Sequence, residues 1–113
     1  MNPSGERAEA LCAALLRAAG LRIVTRNWRC RHGEIDLVAE ERGTLVFAEV
    51  RLRSSGRYGG AGESVTAAKR ARLLAAARQY LADHPGRACR FDVLLLDRLD
   101  PTRIEWVRDA FGE

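Results

Sequence analysis

The chain has 113 residues and a formal net charge of +4, from 19 Lys plus Arg against 15 Asp plus Glu. This length fits a single domain spanning residues 1–113, and 47% apolar with 30% charged residues excludes a disordered chain. No run approaches the roughly 20 apolar residues of a membrane span and the N-terminus lacks a signal-peptide pattern, so the sequence predicts a cytoplasmic protein with no membrane partner.

The first predicted element is an amphipathic helix. Apolar residues recur at helical spacing from Ala8 to Ala19, and Gly20 follows as a stop signal. Glu9 lies on the edge of this apolar stripe, about 20° from Leu16 on the helical wheel. We therefore expect Glu9 to face along the surface or into a cleft.

A basic segment follows this helix. Residues 21–25 predict a short strand, and residues 26–33 predict a loop that carries Trp28. Its tryptophan can stack on a nucleic-acid base or pack under a sheet. Four arginines of the segment have no acidic residue between them: Arg22, Arg26, Arg29 and Arg31.

Two alternating segments, residues 34–40 and 45–51, predict a β-hairpin joined by a loop of residues 41–44. One register places Asp36 opposite Glu49, whereas a slip of one residue would mix charged and apolar side chains on both faces. On the other face the first register pairs apolar residues only: Ile35 with Val50, Leu37 with Ala48 and Ala39 with Val46. We therefore predict the register that brings the two carboxylates together.

Such a carboxylate pair needs a cation. At about 5 Å between Cβ atoms the repulsion is of order 3 kcal/mol near a protein surface, and a favourable cross-strand pair returns at most roughly 1 kcal/mol. The cation could be a divalent metal, for which hard carboxylate oxygens favour Mg²⁺ or Mn²⁺, or a neighbouring arginine, Arg51 or Arg53. A salt-bridge cluster of Asp36, Glu49 and Arg51 without a metal is the alternative.

The second half of the chain begins with a glycine-rich loop over residues 53–62, followed by a helix over residues 64–82. Lys69, the only lysine, shares a helical stripe with Val65, Leu73 and Tyr80 on the core-facing side. It must therefore snorkel to water or meet an acid. Residues 90–96 and 104–107 predict two further strands.

These segments resemble a known family. The pattern Asp36 … Glu49-Val50-Arg51 is similar to the PD-(D/E)xK nuclease signature, in which Glu-x-Lys follows the Asp by some dozen residues on the adjacent strand. The chain also resembles the YraN family of small bacterial endonuclease-like proteins, through the lone Lys69 and four short motifs. These motifs are Gly33-Glu-Ile-Asp-Leu37, Val46-Phe-Ala-Glu-Val-Arg51-Leu-Arg53, Arg90-Phe-Asp-Val93 and Ile104-Glu-Trp-Val107. The resemblance spans nearly the whole chain and implies a restriction-endonuclease-like α/β fold, a mixed sheet of four or five strands flanked by helices.

The resemblance also implies a metal-dependent reaction. In such enzymes the strand acids and a helix acid hold one or two divalent ions, Mg²⁺ or Mn²⁺, beside the scissile phosphate. Asp36 and Glu49 would be metal ligands, and Glu9, placed like the helix acid of Holliday-junction resolvases, would be a third. Glu34 would tie down Arg51.

Arg51 departs from the family signature because it stands at the lysine position. An arginine cannot lose its proton in a protein, so it could stabilise phosphoryl charge but could not act as a base. Either Lys69 positions the attacking water, or the metal needs no lysine, or the protein is a weak or lapsed enzyme. The implied catalytic residues are thus Asp36, Glu49, Arg51 and Lys69.

The distribution of charge favours a nucleic-acid partner. Residues 49–78 carry seven basic and two acidic side chains, a local charge of +5, whereas residues 79–113 carry five and seven, a local charge of −2. The candidate DNA-binding residues are Arg26, Arg29, Arg31, Arg53, Arg57 and Tyr58.

The leading hypothesis is a metal-dependent endonuclease that acts on DNA, with branched or junction DNA as one substrate class. Resolving a junction needs two symmetry-related cuts, which would require a homodimer. The alternative is a non-catalytic nucleic-acid-binding or scaffold module that keeps the nuclease fold.

Overall fold

The computed structural model of the protein describes residues 3–52 and 65–112. In chain order the elements are α1 (Pro3–Ala18), β1 (Arg22–Cys30), β2 (Gly33–Glu41), β3 (Thr44–Leu52), α2 (Ala67–Ala82), β4 (Cys89–Leu96) and β5 (Ile104–Phe111). A short 3-10 turn, Pro101–Arg103, precedes β5. Neither described helix has the length and apolar character that crossing a lipid bilayer requires.

The strands form one sheet in the order β1-β2-β3-β4-β5. β3 and β4 are parallel, and the other neighbouring pairs are antiparallel. A parallel pair needs a long crossover connection, and α2 lies within the connection between β3 and β4. This mixed five-stranded sheet confirms the predicted α/β class, and its arrangement is consistent with a restriction-endonuclease-like fold.

The two helices lie on opposite faces of the sheet. Leu37 and Ala48 belong to the apolar cluster that includes α1, whereas Val38 and Phe47 belong to the cluster that includes α2. Successive side chains of a strand point to opposite faces, so β2 and β3 are covered on both sides. This double burial explains why both strands are almost continuously apolar.

The predicted hairpin register is confirmed where β2 and β3 pair, at Leu37 with Ala48, Val38 with Phe47 and Ala39 with Val46. The predicted four-residue loop is wrong, because Glu41 pairs with Thr44 and only two residues turn the chain. Arg42 and Gly43 have φ angles of 51° and 86°. Two successive positive φ angles are typical of the tight hairpin turn whose twist matches that of the strands.

β1 is longer than the sequence predicts. The expected loop over residues 26–33 is wrong except at Arg31 and His32, because β1 stays paired with β2 as far as Cys30. Trp28 is held in this strand by an edge-to-face contact with Tyr80 of α2, with ring centroids 5.3 Å apart. The tryptophan therefore packs against the core, one of its two predicted roles.

The second half of the chain follows the predicted order with shifted ends. α2 begins at Ala67 instead of residue 64, because the Thr66 hydroxyl caps it by accepting a hydrogen bond from the Lys69 N–H at 3.2 Å. β5 continues to Phe111, beyond the predicted end at residue 107. Phe111 stacks on Phe91 of β4 with ring centroids 5.3 Å apart, and this contact keeps the last strand in the sheet.

Candidate active site

The alternation of β2 breaks at Asp36. Ile35 packs in the α2 cluster and Leu37 in the α1 cluster, although residues two apart normally share a face. The predicted stacking of Ile35 on Val50 is therefore wrong. The Val50 N–H instead donates a hydrogen bond to Asp36 Oδ2 at 2.9 Å. Regular pairing of β2 with β3 runs from Glu41 to Leu37 and ends there. At the next residue, the Asp36 carboxylate takes the place of a backbone acceptor for the Val50 N–H.

Asp36 and Glu49 meet at this point, as the hairpin register predicts. Both residues are buried, with 8% and 5% of their surfaces exposed. Burial, followed by a hydrogen bond to Glu49 and the charge of Glu49, raises the pKa of Asp36 to about 9. The two carboxyl groups therefore retain a shared proton to a higher pH than an exposed aspartate would.

Lys69 supplies the cation beside this pair. Its Nζ lies 3.4 Å from Glu49 Oε2, and its side chain is 37% exposed where that of Glu49 is 7% exposed. Of the two predicted outcomes for a core-facing lysine, the structure shows the contact with an acid. The ion pair joins the first turn of α2 to β3.

Glu9 approaches the pair from α1 and is only 6% exposed. Burial raises the pKa of Glu9, while a hydrogen bond from Asn27 and the charge of Arg26 oppose this rise. Within residues 3–52 and 65–112, two buried oxygen atoms have no hydrogen-bond partner, Glu9 Oε1 and Asn27 Oδ1. Buried oxygens without a donor are costly, and a bound cation or water would relieve that cost.

Cys12 is buried on the same helix, and the charges of two of these acids affect the pKa of its thiol. Burial raises the pKa of its thiol to about 12, and the charges of Asp36 and Glu9 add to the rise. The thiol therefore stays protonated and packs as an apolar group.

The acids and the lysine open onto one cleft of about 470 Å³. The cleft brings together four of the predicted site residues, Glu9, Asp36, Glu49 and Lys69, and has Glu34 at its wall. Its other lining residues are Gly5, Ala8, Gly33, Val50, Leu52, Arg72 and Leu73.

Arg51 stands apart from this cleft. It lies on β3 opposite Leu95 of β4, is half-buried, and is not among the residues that line the cleft. The predicted link between Glu34 and Arg51 is wrong. Glu34 pairs with Arg29 at 2.7 Å, because the antiparallel register of β1 with β2 sets those two residues opposite each other. The cation beside Glu49 is Lys69, so the alternative cluster of Asp36, Glu49 and Arg51 is not formed.

The candidate DNA-binding arginines are only partly described. Arg26, Arg29 and Arg31 are exposed on β1 and the turn that follows it, although Arg29 is engaged by Glu34. The other predicted members lie outside the described residues: Arg53, Arg57 and Tyr58. The structure adds Arg72, which the sequence interpretation missed, although its spacing of three residues from Lys69 on a helix predicts a shared face.

A complete metal-ligand set is not preformed in the described part of the chain. There, no three His, Cys, Asp or Glu side chains are grouped closely enough to hold an ion. The side chains that touch are two carboxylates, Asp36 and Glu49.

Comparison with known proteins identifies a family. Residues 8–96 match the model of the uncharacterised protein family UPF0102. A UPF0102 protein of Ralstonia nicotianae is 56% identical over 115 residues, covering 96% of this chain and 86% of that protein. Relatives from Nitrosomonas europaea and Methylobacillus flagellatus are 51% and 48% identical, covering 96% and 99% of this chain and 93% and 99% of their own lengths. The expected YraN-like membership is confirmed at this level.

Proposed function

The chain belongs to the uncharacterised protein family UPF0102, and we propose that it is a metal-dependent endonuclease of the PD-(D/E)xK type that hydrolyses phosphodiester bonds in DNA. One observation carries the proposal: two buried carboxylates, Asp36 and Glu49, touch at the base of an open cleft, and Lys69 lies 3.4 Å from one of them. Two buried acids in contact, one of which must hold a proton or a cation, destabilise a fold and are typical of functional sites.

The residues present fit a hard divalent cation. A proton shared between Asp36 and Glu49 relieves their repulsion, and a divalent ion would replace that proton. Mg²⁺ is usually bound by one or two carboxylates, with waters and substrate phosphates as its other ligands, so two touching acids suffice. Glu9 Oε1, buried and without a partner among the described residues, offers a further oxygen. When bound, the ion would activate water and stabilise phosphoryl charge.

Lys69 takes the part that the nuclease signature gives to the strand lysine. Its ammonium group reaches the carboxylate pair from α2, whereas Arg51 lies outside the cleft. A fixed positive charge at this place would stabilise the negative charge that develops on the phosphoryl oxygens. A lysine can also hold the attacking water, because its three N–H donors rotate freely.

The positive surface formed by Arg26 and Arg31, together with the charge of the sequence, supports DNA as the substrate. Arg26 and Arg31 are exposed on β1 and its turn, and the sequence between residues 49 and 78 has a net charge of +5. Branched or junction DNA is the substrate class we propose to test first. Its resolution by two symmetric cuts would require a homodimer.

A second candidate function is DNA binding without cleavage. It is favoured by the metal-ligand set described above, which has no third acid grouped with Asp36 and Glu49 in the described residues. It is also favoured by Arg51 at the signature's lysine position. A lapsed enzyme would keep the positive surface and lose the reaction.

The two functions are separated by a cleavage assay. Purified protein is incubated with end-labelled four-way-junction and flap DNA and with Mg²⁺ or Mn²⁺, and the products are resolved on denaturing gels. The nuclease proposal expects nicks that require the metal and disappear in Asp36→Asn, which keeps the volume of the side chain and removes one of the carboxylate oxygens that would bind the metal. Asp97→Asn, at an exposed acid paired with Arg103, is the matched control and should cut normally. Absence of cutting by the wild type with either metal, or equal cutting by Asp36→Asn, would contradict the proposal.

A further inference from the structure

Arg72 is a cation at the wall of an acidic cleft, and no acid of the described residues pairs with it. It lines the same cleft as Asp36, Glu49 and Glu34, and its side chain is exposed. Lys69, one turn earlier, pairs with Glu49, and Glu34 pairs with Arg29. Within residues 3–52 and 65–112, Arg72 makes no ion pair. Its guanidinium group is therefore available to an anion that enters from solvent.

The backbone of Arg72 lies next to Gly33, at the start of β2. Gly33 has a φ of +151°, which side chains rarely adopt, and a Cβ added there would lie 3.5 Å from Arg72 Cβ and 3.6 Å from its carbonyl oxygen. These are ordinary contact distances, so it is the φ angle that favours glycine here, and the start of β2 lies against α2 at Arg72. The Arg72 side chain therefore starts from a point where helix and strand are in contact, beside the turn that carries Arg31.

The negative charge of the cleft indicates why an anionic ligand would require a positive group at its wall. Four acids line the cleft, Glu9, Glu34, Asp36 and Glu49, and the negative charge that their ion pairs, shared protons or a divalent ion leave uncompensated would repel an approaching phosphodiester. A positive group at the wall is required to hold the phosphate backbone there. Arginine suits this task, because its planar fork binds two phosphate oxygens at once.

We propose that Arg72 binds a backbone phosphate of the DNA strand that occupies the cleft, next to the phosphate over Asp36 and Glu49. This inference rests on the proposed function and adds the direction of the strand. From the carboxylate pair the strand passes Lys69 and Arg72 along α2 and continues to the turn between β1 and β2, where Arg31 is exposed.

The inference is tested by binding rather than by cleavage. A fluorescein-labelled four-way junction is titrated with wild-type protein in EDTA, and anisotropy is measured between about 50 and 200 mM NaCl. Removing one phosphate contact should lower the slope of log K against log salt by about one, so Arg72→Gln should show this change together with roughly tenfold weaker binding. Arg72→Lys, which keeps the charge, should restore most of the slope.

The matched control is Arg70→Gln, which removes the same charge from the same helix about 200° away around its axis. Its salt slope should equal that of the wild type. Equal slopes for Arg72→Gln and Arg70→Gln would overturn the assignment of Arg72 while leaving the nuclease proposal standing. Absence of DNA binding by the wild type would overturn both. A lower slope for Arg72→Gln in a protein that never cuts would support the phosphate site and contradict the nuclease.

Discussion

Lys69 Nζ and Glu49 Oε2 lie 3.4 Å apart, so a lysine on α2 supplies the positive charge next to a strand carboxylate. The strand position two residues after Glu49 is occupied by Arg51, whose side chain is not part of the cleft. In the proposed nuclease, the positive charge that the signature places on the strand would come from α2. Because the two cations lie in different places, their contributions to cleavage can be measured separately by substitution.

Replacing Lys69 should reduce cleavage far more than replacing Arg51. We expect Lys69→Met to lower the single-turnover rate about 10²- to 10³-fold, the range for losing one fixed group that stabilises transition-state charge. Arg51→Lys should change the rate little, because its side chain does not reach the carboxylates. Both rates are measured with saturating enzyme on junction DNA and Mn²⁺. A marked gain in Arg51→Lys with no loss in Lys69→Met would return the lysine function to the strand.

The raised pKa of Asp36 predicts a pH-dependent stability. Its pKa rises from 3.8 in the unfolded chain to about 9 in the fold, so the folded state holds a proton that the unfolded state releases. Stability is therefore greatest below about pH 4 as far as this group is concerned, and it falls as the pH rises through about 9. Asp36→Asn cannot lose this proton, and it should melt several degrees higher than the wild type near pH 8 in EDTA.

Calorimetry in EDTA across this pH range checks the prediction. The difference in melting temperature between Asp36→Asn and the wild type should widen with pH. Asp97→Asn serves as the control, because its carboxyl pKa is lowered by hydrogen bonding to Arg103 and its stability difference should not follow the same course. If the difference in melting temperature between Asp36→Asn and the wild type stays constant with pH, the pKa of the wild-type Asp36 carboxyl is not raised by folding.

Divalent metal should stabilise the fold through the same pair. A ligand that binds the folded chain alone adds about 2.7 kcal/mol at a concentration of 100 times its Kd. Mn²⁺ should therefore raise the melting temperature of the wild type, more at high pH than at low pH because it competes with the proton. Asp36→Asn combined with Glu49→Gln should abolish the rise. An equal rise in this double variant would place the ion elsewhere.

Asp92 predicts a loss of stability without a direct loss of chemistry. It is fully buried outside the cleft and accepts hydrogen bonds from Arg90 Nε at 3.0 Å, Trp106 Nε1 at 2.9 Å and the Asp109 N–H at 2.9 Å. Asp92→Ala would leave the Trp106 and Asp109 donors without their buried acceptor, at about 1–3 kcal/mol for each donor, while Arg90 keeps its ion pair with Glu41.

Urea denaturation measures this loss. Asp97→Ala, which breaks an exposed ion pair with Arg103, should cost no more than about 1 kcal/mol. Similar losses for the two alanine variants would show that the Asp92 network contributes little to the free energy of unfolding. DNA binding by the folded fraction of Asp92→Ala should match that of the wild type.

The sequence predicted more of the central hairpin than of its surroundings. Pairing of Val38 with Phe47 follows from side-chain alternation, because a slip by one residue would bury charge on both faces. The extent of β1 did not follow, since Trp28 is held by Tyr80, a residue 52 positions away in the chain. Local polarity favoured a loop there, and long-range packing overrode it.

The amino-acid sequence by itself determined the order of the elements, the apolar faces and the meeting of Asp36 with Glu49, because these depend on periodicities of two and 3.6 residues. Only the tertiary structure decided which cation reaches them. From the sequence, both Lys69 and Arg51 could have been the cation beside the carboxylates. In the fold, the crossover between β3 and β4 places α2 and Lys69 beside them, whereas Arg51 lies outside the cleft. The tertiary structure also identified Arg72, one of eighteen arginines, as a residue of the cleft wall. Its position there depends on the packing of α2 against Gly33 at the start of β2, which is a long-range contact.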